Sequence, residues 1–342
     1  MTKKIMWNKN LRNVYDADQQ YWEMITHDDG VDARGGITAL TSGEMGSGKS
    51  TMLLQTAQAT KHAPRGMDIK MATKMGKLIP ETVVWRGRGL DHWSAMIPER
   101  FKKSFPNSNP KPLRVFVHCD SDYRFYEESN DQIHYFDVDV VYYLTTKDVY
   151  DNLVTGGINV IYEPSHYELP PEIVNELLAD QLKELFPVSE CPSKPAPPPV
   201  WWFEFIRTLI ENKKRYEFFS IFIDEAHDVI PSTSRGEHWH LINRFGTQTV
   251  TELRKSNISF YPVTHNLNMI DYRVTQRMNY FVWFMGSVPK SDYSIIKKHT
   301  VGKLHRGQVF IEHAKISFGK LAFGRIPKQS PLVQVEGMRR IY

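Results

Sequence analysis

The segment Gly43-Glu-Met-Gly-Ser-Gly-Lys-Ser50 is the part of the sequence that decides the fold. It matches the pattern G-x-x-x-x-G-K-[ST], in which glycines allow consecutive backbone amides to turn inward around a polyphosphate. Residues 36–41 form an apolar run before it, and residues 50–62 are rich in Leu, Gln and Ala. These flanks predict a strand and a helix, which is the context that the pattern requires. The sequence therefore predicts a nucleotide-binding loop rather than a chance glycine-rich turn.

The residues of this P-loop have distinct expected roles. We expect Lys49 to reach the β- and γ-phosphates of a nucleotide and the Ser50 hydroxyl to ligate Mg²⁺. The helix after the loop would point its positive end at the phosphates. The predicted nucleotide-binding residues are Gly43, Glu44, Met45, Gly46, Ser47, Gly48, Lys49, Ser50 and Thr51.

Two adjacent acids follow the hydrophobic run at residues 218–223, in the arrangement of a Walker B motif. We expect Asp224 to orient the Mg²⁺ through water and Glu225 to polarise the attacking water. A glutamate at this position favours a hydrolase over a kinase. The alternative is a pair of acids that caps a helix.

The letters Asp224-Glu-Ala-His227 also spell the signature of a helicase family. Those helicases use two RecA-like domains, with an arginine-bearing motif in the second. Only about 115 residues follow His227, and none of them resembles a second nucleotide-binding half. We therefore set the helicase interpretation aside and expect His227 to be a local hydrogen-bonding residue.

Other hydrophobic patterns predict the rest of an α/β fold. β-Branched or aromatic runs predict strands at 82–86, 114–118, 138–144, 158–162, 218–223, 259–264 and 280–284. Helical patterns lie at 172–186, 201–214 and 237–256. Because several strands are apolar throughout, they suit a mostly parallel central sheet that helices cover on both faces.

We predict three parts along the chain: an N-terminal extension at 1–35, a P-loop domain at 36–285 and a basic C-terminal extension at 286–342. Residues 101–135 mix polar residues and tyrosines around one short strand, which predicts an insertion or an elaboration of the sheet edge. The proline-rich stretch at 187–199 predicts an extended surface loop.

The composition excludes several classes of protein. The 342 residues are 41% hydrophobic and 24% charged, which is typical of a globular chain, and no apolar run is long enough for a spanning helix. Cys119 and Cys191 alone cannot form a disulfide framework or a cysteine-based zinc site. No secretory signal is visible, so we expect a cytoplasmic protein.

The net charge of +4 is distributed unevenly. Residues 286–342 contain eleven Lys or Arg and three acids, a net charge of +8, which leaves −4 for the rest of the chain. Residues 307–323 alternate apolar and polar, which predicts a half-exposed hairpin and makes this extension β-rich. Such a basic segment is typical of a polyanion-binding surface, and solvated surface lysines give the same pattern.

Two clusters of aromatic residues have alternative interpretations. Val84-Trp-Arg-Gly-Arg-Gly89 with Trp93 could clamp nucleic acid, or Trp85 could end a core strand and pack inward. We expect Trp201 and Trp202 to anchor a helix in the core or at a subunit contact.

Three stretches after the Walker B strand resemble the FtsK/HerA superfamily of translocating ATPases. They are Ile223-Asp-Glu-Ala-His-Asp-Val-Ile-Pro231, Glu252-Leu-Arg-Lys-Ser-Asn-Ile-Ser259 and Tyr261-Pro-Val-Thr-His-Asn-Leu-Asn-Met-Ile-Asp271. Within that superfamily they are most similar to the branch of the zonula-occludens-toxin-like and viral genome-packaging ATPases. The resemblance covers residues 36–285 and is loose between 61 and 214.

This resemblance implies two further roles in catalysis. The strand after the Walker B helix usually ends in a Thr-Gln pair whose Gln senses the γ-phosphate; here Thr264 is followed by His265 and Asn266, either of which could be the sensor. An arginine from a neighbouring subunit completes each site in such rings. Arg254 is the first candidate, and solvated surface arginine is the alternative. Weaker candidates are Arg244, Arg273 and Arg277.

The residues themselves predict a RecA-like (ASCE-type) P-loop NTPase that depends on Mg²⁺. The resemblance implies ATP as the substrate and a homo-oligomeric ring, expected to be a hexamer, that threads double-stranded DNA during viral or plasmid genome packaging. A capsid or membrane protein would dock the ring, in the host cytoplasm or the virion. Two alternatives are an assembly or secretion ATPase that acts on protein at a membrane, and a nucleotide-switched scaffold. The predicted catalytic residues are Lys49, Glu225, His265, Asn266 and Arg254.

Overall fold

The computed structural model describes residues 25–28, 35–88, 90–129, 132–165, 167, 197–232, 237–292, 294–313, 317–322 and 333–339. The predicted helix at 172–186 lies outside the described residues, as do residues 187–196 of the proline-rich stretch.

Strands and helices alternate along much of the described chain. The strands are β1 His27–Asp28, β2 Ala39–Ser42, β3 Lys61–His62, β4 Ile79–Pro80, β5 Thr82–Arg86, β6 Leu90–Asp91, β7 Leu113–His118, β8 Ser121–Ser129, β9 Gln132–Tyr135, β10 Val140–Tyr143, β11 Ile158–Tyr162, β12 Phe219–Ile223, β13 Ile258–Thr264, β14 Tyr280–Trp283, β15 Gln308–His313, β16 Ser317–Ala322 and β17 Val333–Arg339. The helices are α1 Lys49–Ala59, α2 Ile69–Lys74, α3 Pro98–Ser104, α4 Thr146–Asp151, α5 Pro197–Asn212, α6 Glu237–Lys255, α7 Tyr272–Thr275 and α8 Lys298–Val301. Short 3₁₀ helices lie at Trp93–Met96, Ala226–Asp228 and Leu267–Met269.

A sheet of ten strands forms the centre of the described fold, in the order β10-β7-β11-β5-β12-β13-β2-β14-β15-β16. Every neighbouring pair from β10 to β14 is parallel. The pairs β14–β15 and β15–β16 are antiparallel, which confirms the hairpin predicted near 307–323. The C-terminal segment therefore continues the main sheet.

Side chains of the parallel strands alternate between two buried cores, one on each face of the sheet. In β5, Val84 packs into one core, while Val83 and Trp85 pack into the other. Helices α5 and α6 contribute to the first core, and α1 contributes to the second. This two-sided burial explains why the strands read as unbroken apolar runs in the sequence.

The order of the strands identifies the class of the sheet. In a RecA-like sheet, one strand separates the P-loop strand from the Walker B strand. Here β13 lies between β2, which leads into the P-loop, and β12, which ends at the Walker B acids. The predicted RecA-like class is therefore confirmed. Because these strands are parallel, the residues that follow them meet at one edge of the sheet, where α/β proteins place their ligands.

Two sequence predictions need correction. Residues 101–135 are not simply an insertion, because β7 lies inside the main sheet and Val115, Phe116 and Val117 are fully buried there. Only β8 and β9 pair outside it, in a four-stranded sheet with β6 and β17. The proline-rich stretch is not extended to its end, since α5 begins at Pro197. Prolines fit the first turn of a helix because its N–H groups lack partners within the helix.

Candidate active site

The P-loop connects β2 to α1 in a conformation that its glycines permit. Gly46 and Gly48 have φ values of 72° and 107°, which residues with a side chain rarely adopt. A Cβ on Gly43 would lie 2.4 Å from the Cβ of Phe284, so this position has no room for a side chain. Ser47 Oγ is buried without a hydrogen-bond partner among the described residues. A curled loop with an unsatisfied hydroxyl fits the binding of a phosphate group.

The ammonium group of Lys49 lies at the centre of the site, and the residue is only 5% exposed. Its Nζ donates to the carbonyl oxygens of Gly43 and Glu44, both at 2.8 Å, and lies 3.0 Å from Nδ1 of His265. Burial lowers the pKa of Lys49, and the negative charges of Asp224, Glu225 and Glu44 partly offset that effect. The lysine is thus held between the loop and the end of β13.

The Walker B aspartate faces the hydroxyl at the start of α1. Ser50 Oγ donates to Asp224 Oδ2 at 3.3 Å, and the backbone N–H of Glu225 donates to Asp224 Oδ1 at 3.0 Å. A hydroxyl and a carboxylate oxygen at this separation are the kind of oxygen ligands that Mg²⁺ takes beside nucleotide phosphates. The residues present therefore fit the predicted metal.

Glu225 has an unusual backbone conformation, with φ 49° and ψ 54° in the left-handed region. A residue with a side chain is seldom found there, and such strain is often found at functional sites. Its Oε1 lies 2.6 Å from Nε2 of His265. Its Oε2 lies 3.3 Å from Nδ1 of His227, but both atoms are buried and neither makes a hydrogen bond among the described residues. The carboxylate thus keeps one unsatisfied oxygen.

His265 joins the P-loop lysine to the Walker B glutamate. A charged Lys49 can only donate, so Nδ1 of His265 must accept its hydrogen bond. The ring hydrogen then resides on Nε2 and is donated to Glu225. The ring of His265 therefore contacts both functional side chains, accepting at Nδ1 and donating at Nε2.

Of the two sensor candidates, the structure brings His265 into the site and leaves Asn266 outside it. Asn266 is exposed, and its side-chain oxygen accepts from the backbone N–H of Asn268 at 3.0 Å. This bond caps the short 3₁₀ helix Leu267–Met269. The sequence could not separate two adjacent polar residues, because the choice depends on which of them leaves the strand toward the P-loop.

The prediction that His227 is a local hydrogen-bonding residue is not met at its Nδ1. His227 lies 3.3 Å from Glu225 and 3.6 Å from Asp228, but its Nδ1 forms no hydrogen bond among the described residues. The Walker B acids are held instead by backbone and by residues from other elements.

Arg86, from the cluster at residues 84–89 that the sequence offered as a nucleic-acid clamp, instead holds the turn after the Walker B strand. Arg86, at the end of β5, is 4% exposed and pairs with Glu163 at 2.5 Å and with Asp228 at 3.2 Å. Its Nη1 also lies 3.5 Å from the carbonyl oxygen of Glu225. Burial by itself would lower the pKa of Arg86, but the carboxylates of Glu163 and Asp228 raise it above the usual value. Glu163 also accepts from Trp202 at 3.0 Å, which links the turn to α5.

Replacing Arg86 with Met is expected to lower the free energy of unfolding by about 3 kcal/mol, because Glu163, only 14% exposed, would lose its charged partner and keep only the hydrogen bond from Trp202 within the described part of the chain. Arg88→Met is the matched control. Arg88 lies 3.4 Å from the same Asp228, but its side chain is 36% exposed, so its loss should cost no more than about 1 kcal/mol. Urea unfolding of both variants measures the difference. Equal losses would contradict the assigned role of Arg86.

Among the arginines predicted to act between subunits, Arg254 lies far from the P-loop of its own chain. The carbonyl oxygen of Arg254 accepts from the backbone N–H of Gly36, at the edge of the sheet opposite the P-loop. Arg273 forms two hydrogen bonds with Asp271, at 2.9 and 2.6 Å. Arg277 is exposed, and the side chain of Arg244 lies outside the described atoms. A role for Arg254 would therefore require a neighbouring subunit.

The tryptophan clusters belong to the core. Trp85 is 1% exposed and stacks on Phe222 with ring centroids 5.9 Å apart, so it does not clamp nucleic acid. Trp93 is fully buried and donates to Tyr162 at 2.7 Å. Trp201 and Trp202 are also fully buried, as expected for residues that anchor a helix.

The strand order and the P-loop geometry together define a RecA-like P-loop NTPase as the class of this protein. None of the helices among the described residues is long and apolar enough to cross a membrane.

The fold of the chain is similar to several solved structures. The genome-packaging NTPase B204 from Sulfolobus turreted icosahedral virus 2, in complex with ATP-gammaS, is 9% identical; the match covers 84% of this chain and 98% of that chain at a TM-score of 0.39. The N-terminal domain of zonular occludens toxin from Neisseria meningitidis is 12% identical, with 88% and 94% covered at a TM-score of 0.29. The bacterial conjugative coupling protein TrwB is 9% identical, with 55% and 46% covered at a TM-score of 0.33.

No family model matches the sequence, and no curated protein matches it. The solved structures are only 9–12% identical to this chain, with TM-scores of 0.29–0.39. The assignment to the RecA-like P-loop NTPases therefore rests on the strand order and the loop geometry of this chain itself.

Proposed function

We propose that this protein hydrolyses ATP with Mg²⁺ and uses the reaction to move double-stranded DNA through a ring of identical subunits. The observation that carries the proposal is the position of the Glu225 carboxylate. It is held by His265 at 2.6 Å, and His265 in turn contacts the P-loop lysine at 3.0 Å.

The loop and its lysine would bind the phosphates. Lys49 has two hydrogen bonds to loop carbonyl oxygens, which it would exchange for phosphate oxygens when a nucleotide binds. The hydroxyl of Ser47 and the amides of the curled loop would supply further donors. Ser50 and Asp224 would hold Mg²⁺, which when bound neutralises charge on the phosphates.

The carboxylate of Glu225 would then act on water. Its Oε2 makes no hydrogen bond among the described residues, but the atom is buried 3.3 Å from Nδ1 of His227, so the carboxylate would have to turn toward the γ-phosphate to accept a hydrogen bond from water. His265 holds the other oxygen, Oε1, and also contacts Nζ of Lys49. A residue at the end of β13 that contacts both side chains suits the sensor role.

The ring and the DNA substrate rest on the sequence. The FtsK/HerA-like motifs support a ring in which Arg254 completes a neighbour's site, and the position of Arg254 far from its own P-loop agrees with action between subunits. The +8 net charge of residues 286–342 supports contact with a polyanion. Within this proposal the ring packages a viral or plasmid genome, and a capsid or membrane protein docks it.

Linear double-stranded DNA is expected to stimulate ATP hydrolysis, and the stimulation should fade as salt rises from about 50 to 200 mM, because phosphate contacts release counterions. The steady-state rate with and without DNA at both salt concentrations measures this, and Glu225→Gln serves as the blank. Turnover that is indifferent to DNA at both salt concentrations would contradict the DNA motor and favour an ATPase that acts on protein.

A further inference from the structure

An arginine from the C-terminal segment lies over the tip of the P-loop. A Cβ placed on Gly46 would lie 3.7 Å from Nη2 of Arg306. The guanidinium group thus lies beside the glycine at the tip of the curled loop, on which the outer phosphates of a nucleotide would rest.

The topology of the sheet explains how Arg306 reaches this position. β14 runs parallel to β2, so both strands end at the edge of the sheet that carries the P-loop. β15 pairs with β14 in the antiparallel sense, with Phe310 opposite Trp283, so β15 begins at that same edge. Residues 302–307, which lead into β15, therefore lie at the same edge of the sheet as the P-loop.

The connection is held in place by its own contacts. Leu304 is 2% exposed and packs into the core beneath it. The backbone N–H of Gln308 donates to the carbonyl oxygen of His305 at 3.0 Å, and the side chain of Gln308 accepts from the backbone N–H of His305 at 3.2 Å. Gly307 has a φ of 80°, which allows the tight turn into β15. Arg306 therefore projects from a defined turn.

Arg306 forms no ion pair within the described part of the chain. Its side chain is exposed, and no carboxylate among the described residues pairs with it. Arg86 and Arg273, in contrast, each form an ion pair with a carboxylate. A guanidinium presents a planar set of donors that matches phosphate oxygens. Arg306 thus has the chemistry and the position to receive a phosphate.

We infer that Arg306 binds the outer phosphates of the nucleotide held by its own subunit. The inference rests on the proposed nucleotide hydrolysis and adds a phosphate-contacting residue to it. The C-terminal extension thereby becomes part of the nucleotide site, in addition to any contact with DNA. Each nucleotide site would then have two guanidinium groups, that of Arg306 from its own chain and that of Arg254 from a neighbouring subunit.

The test compares Arg306→Ala and Arg306→Lys with Lys303→Ala, which removes an exposed cation from the same connection. Arg306→Ala is expected to weaken ATPγS binding roughly tenfold and to lower turnover by about 100-fold or more. AMP, which lacks the outer phosphates, should bind Arg306→Ala and wild-type protein equally in competition. Arg306→Lys should recover only part of the loss, because an ammonium group lacks the planar fork.

If Arg306→Ala behaves like Lys303→Ala in both assays while the wild-type protein hydrolyses ATP, this inference is wrong and the proposed function stands. If the wild-type protein neither binds nor hydrolyses ATP, the proposed function itself fails.

Mixed subunits test whether Arg306 acts within its own chain. Arg306→Ala mixed with Glu225→Gln should remain inactive, because each subunit would carry one defect in its own site. Recovery of activity in that mixture would show that Arg306 serves a neighbouring site and would overturn the inference. Arg254→Ala mixed with Glu225→Gln is the matched comparison, since an arginine that acts between subunits should restore activity there.

Discussion

Replacing Glu225 with Gln is expected to lower steady-state ATP hydrolysis by about 10²- to 10⁴-fold, the usual contribution of a general base. The amide has nearly the same shape as the carboxylate, and its oxygen can still accept from Nε2 of His265. It cannot take a proton from water, so only the chemical step should be lost. Binding of ATP should be retained, and single-turnover phosphate release together with equilibrium binding measures the two effects separately.

Glu99→Gln is the matched control for this variant, because Glu99 is an exposed acid in the first turn of α3. It should hydrolyse ATP at the wild-type rate. If Glu225→Gln also kept the wild-type rate, the general base would have to be another residue, and the role of His265 as its orienting partner would be lost as well.

Replacing Lys49 with Ala is expected to weaken ATP binding by about 100-fold or more, because the variant loses charged hydrogen bonds to the phosphates. The change also removes a positive charge that is buried close to Asp224 and Glu225. Three acceptors would lose their donor: the carbonyl oxygens of Gly43 and Glu44 and the Nδ1 of His265. Titration with a fluorescent ATP analogue measures the change in affinity.

Lys74→Ala serves as the control, since Lys74 is an exposed lysine in the last turn of α2. Its affinity for the analogue should match that of the wild-type protein. An unchanged affinity in Lys49→Ala would mean that the loop does not hold the phosphates in the expected manner.

The parts of the site that the sequence predicts share one property: they are local. The P-loop and the Walker B acids each follow a hydrophobic strand within a few residues, so pattern and spacing suffice to find them. The predicted strands at 82–86 and 158–162 coincide with β5 and β11, because two-sided burial leaves an unbroken apolar run.

The parts that the sequence did not reveal depend on distant contacts. Arg86 is separated by 77 residues from Glu163, and only the pairing of β5 with β11 brings them together. The choice of His265 over Asn266 depends on where β13 lies relative to the P-loop. Arg306 reaches Gly46 because β15 reverses direction beside β14, which an alternating pattern of side chains does not specify.

The prolines at the start of α5 explain why the prediction of an extended loop at 187–199 was wrong for its last three residues. A run of prolines is a strong signal against the interior of a helix, but the signal does not apply to the first turn, where the missing N–H groups would have no partner. The three prolines at 197–199 therefore begin the helix that carries Trp201 and Trp202 into the core.

The most direct test of the central claim is the release of inorganic phosphate from ATP by the wild-type protein, measured with Mg²⁺ and with the metal chelated. We predict steady phosphate release that requires Mg²⁺, because Ser50 and Asp224 present the oxygen ligands for it beside the P-loop. No release with Mg²⁺ present, or the same release after chelation, would contradict the account.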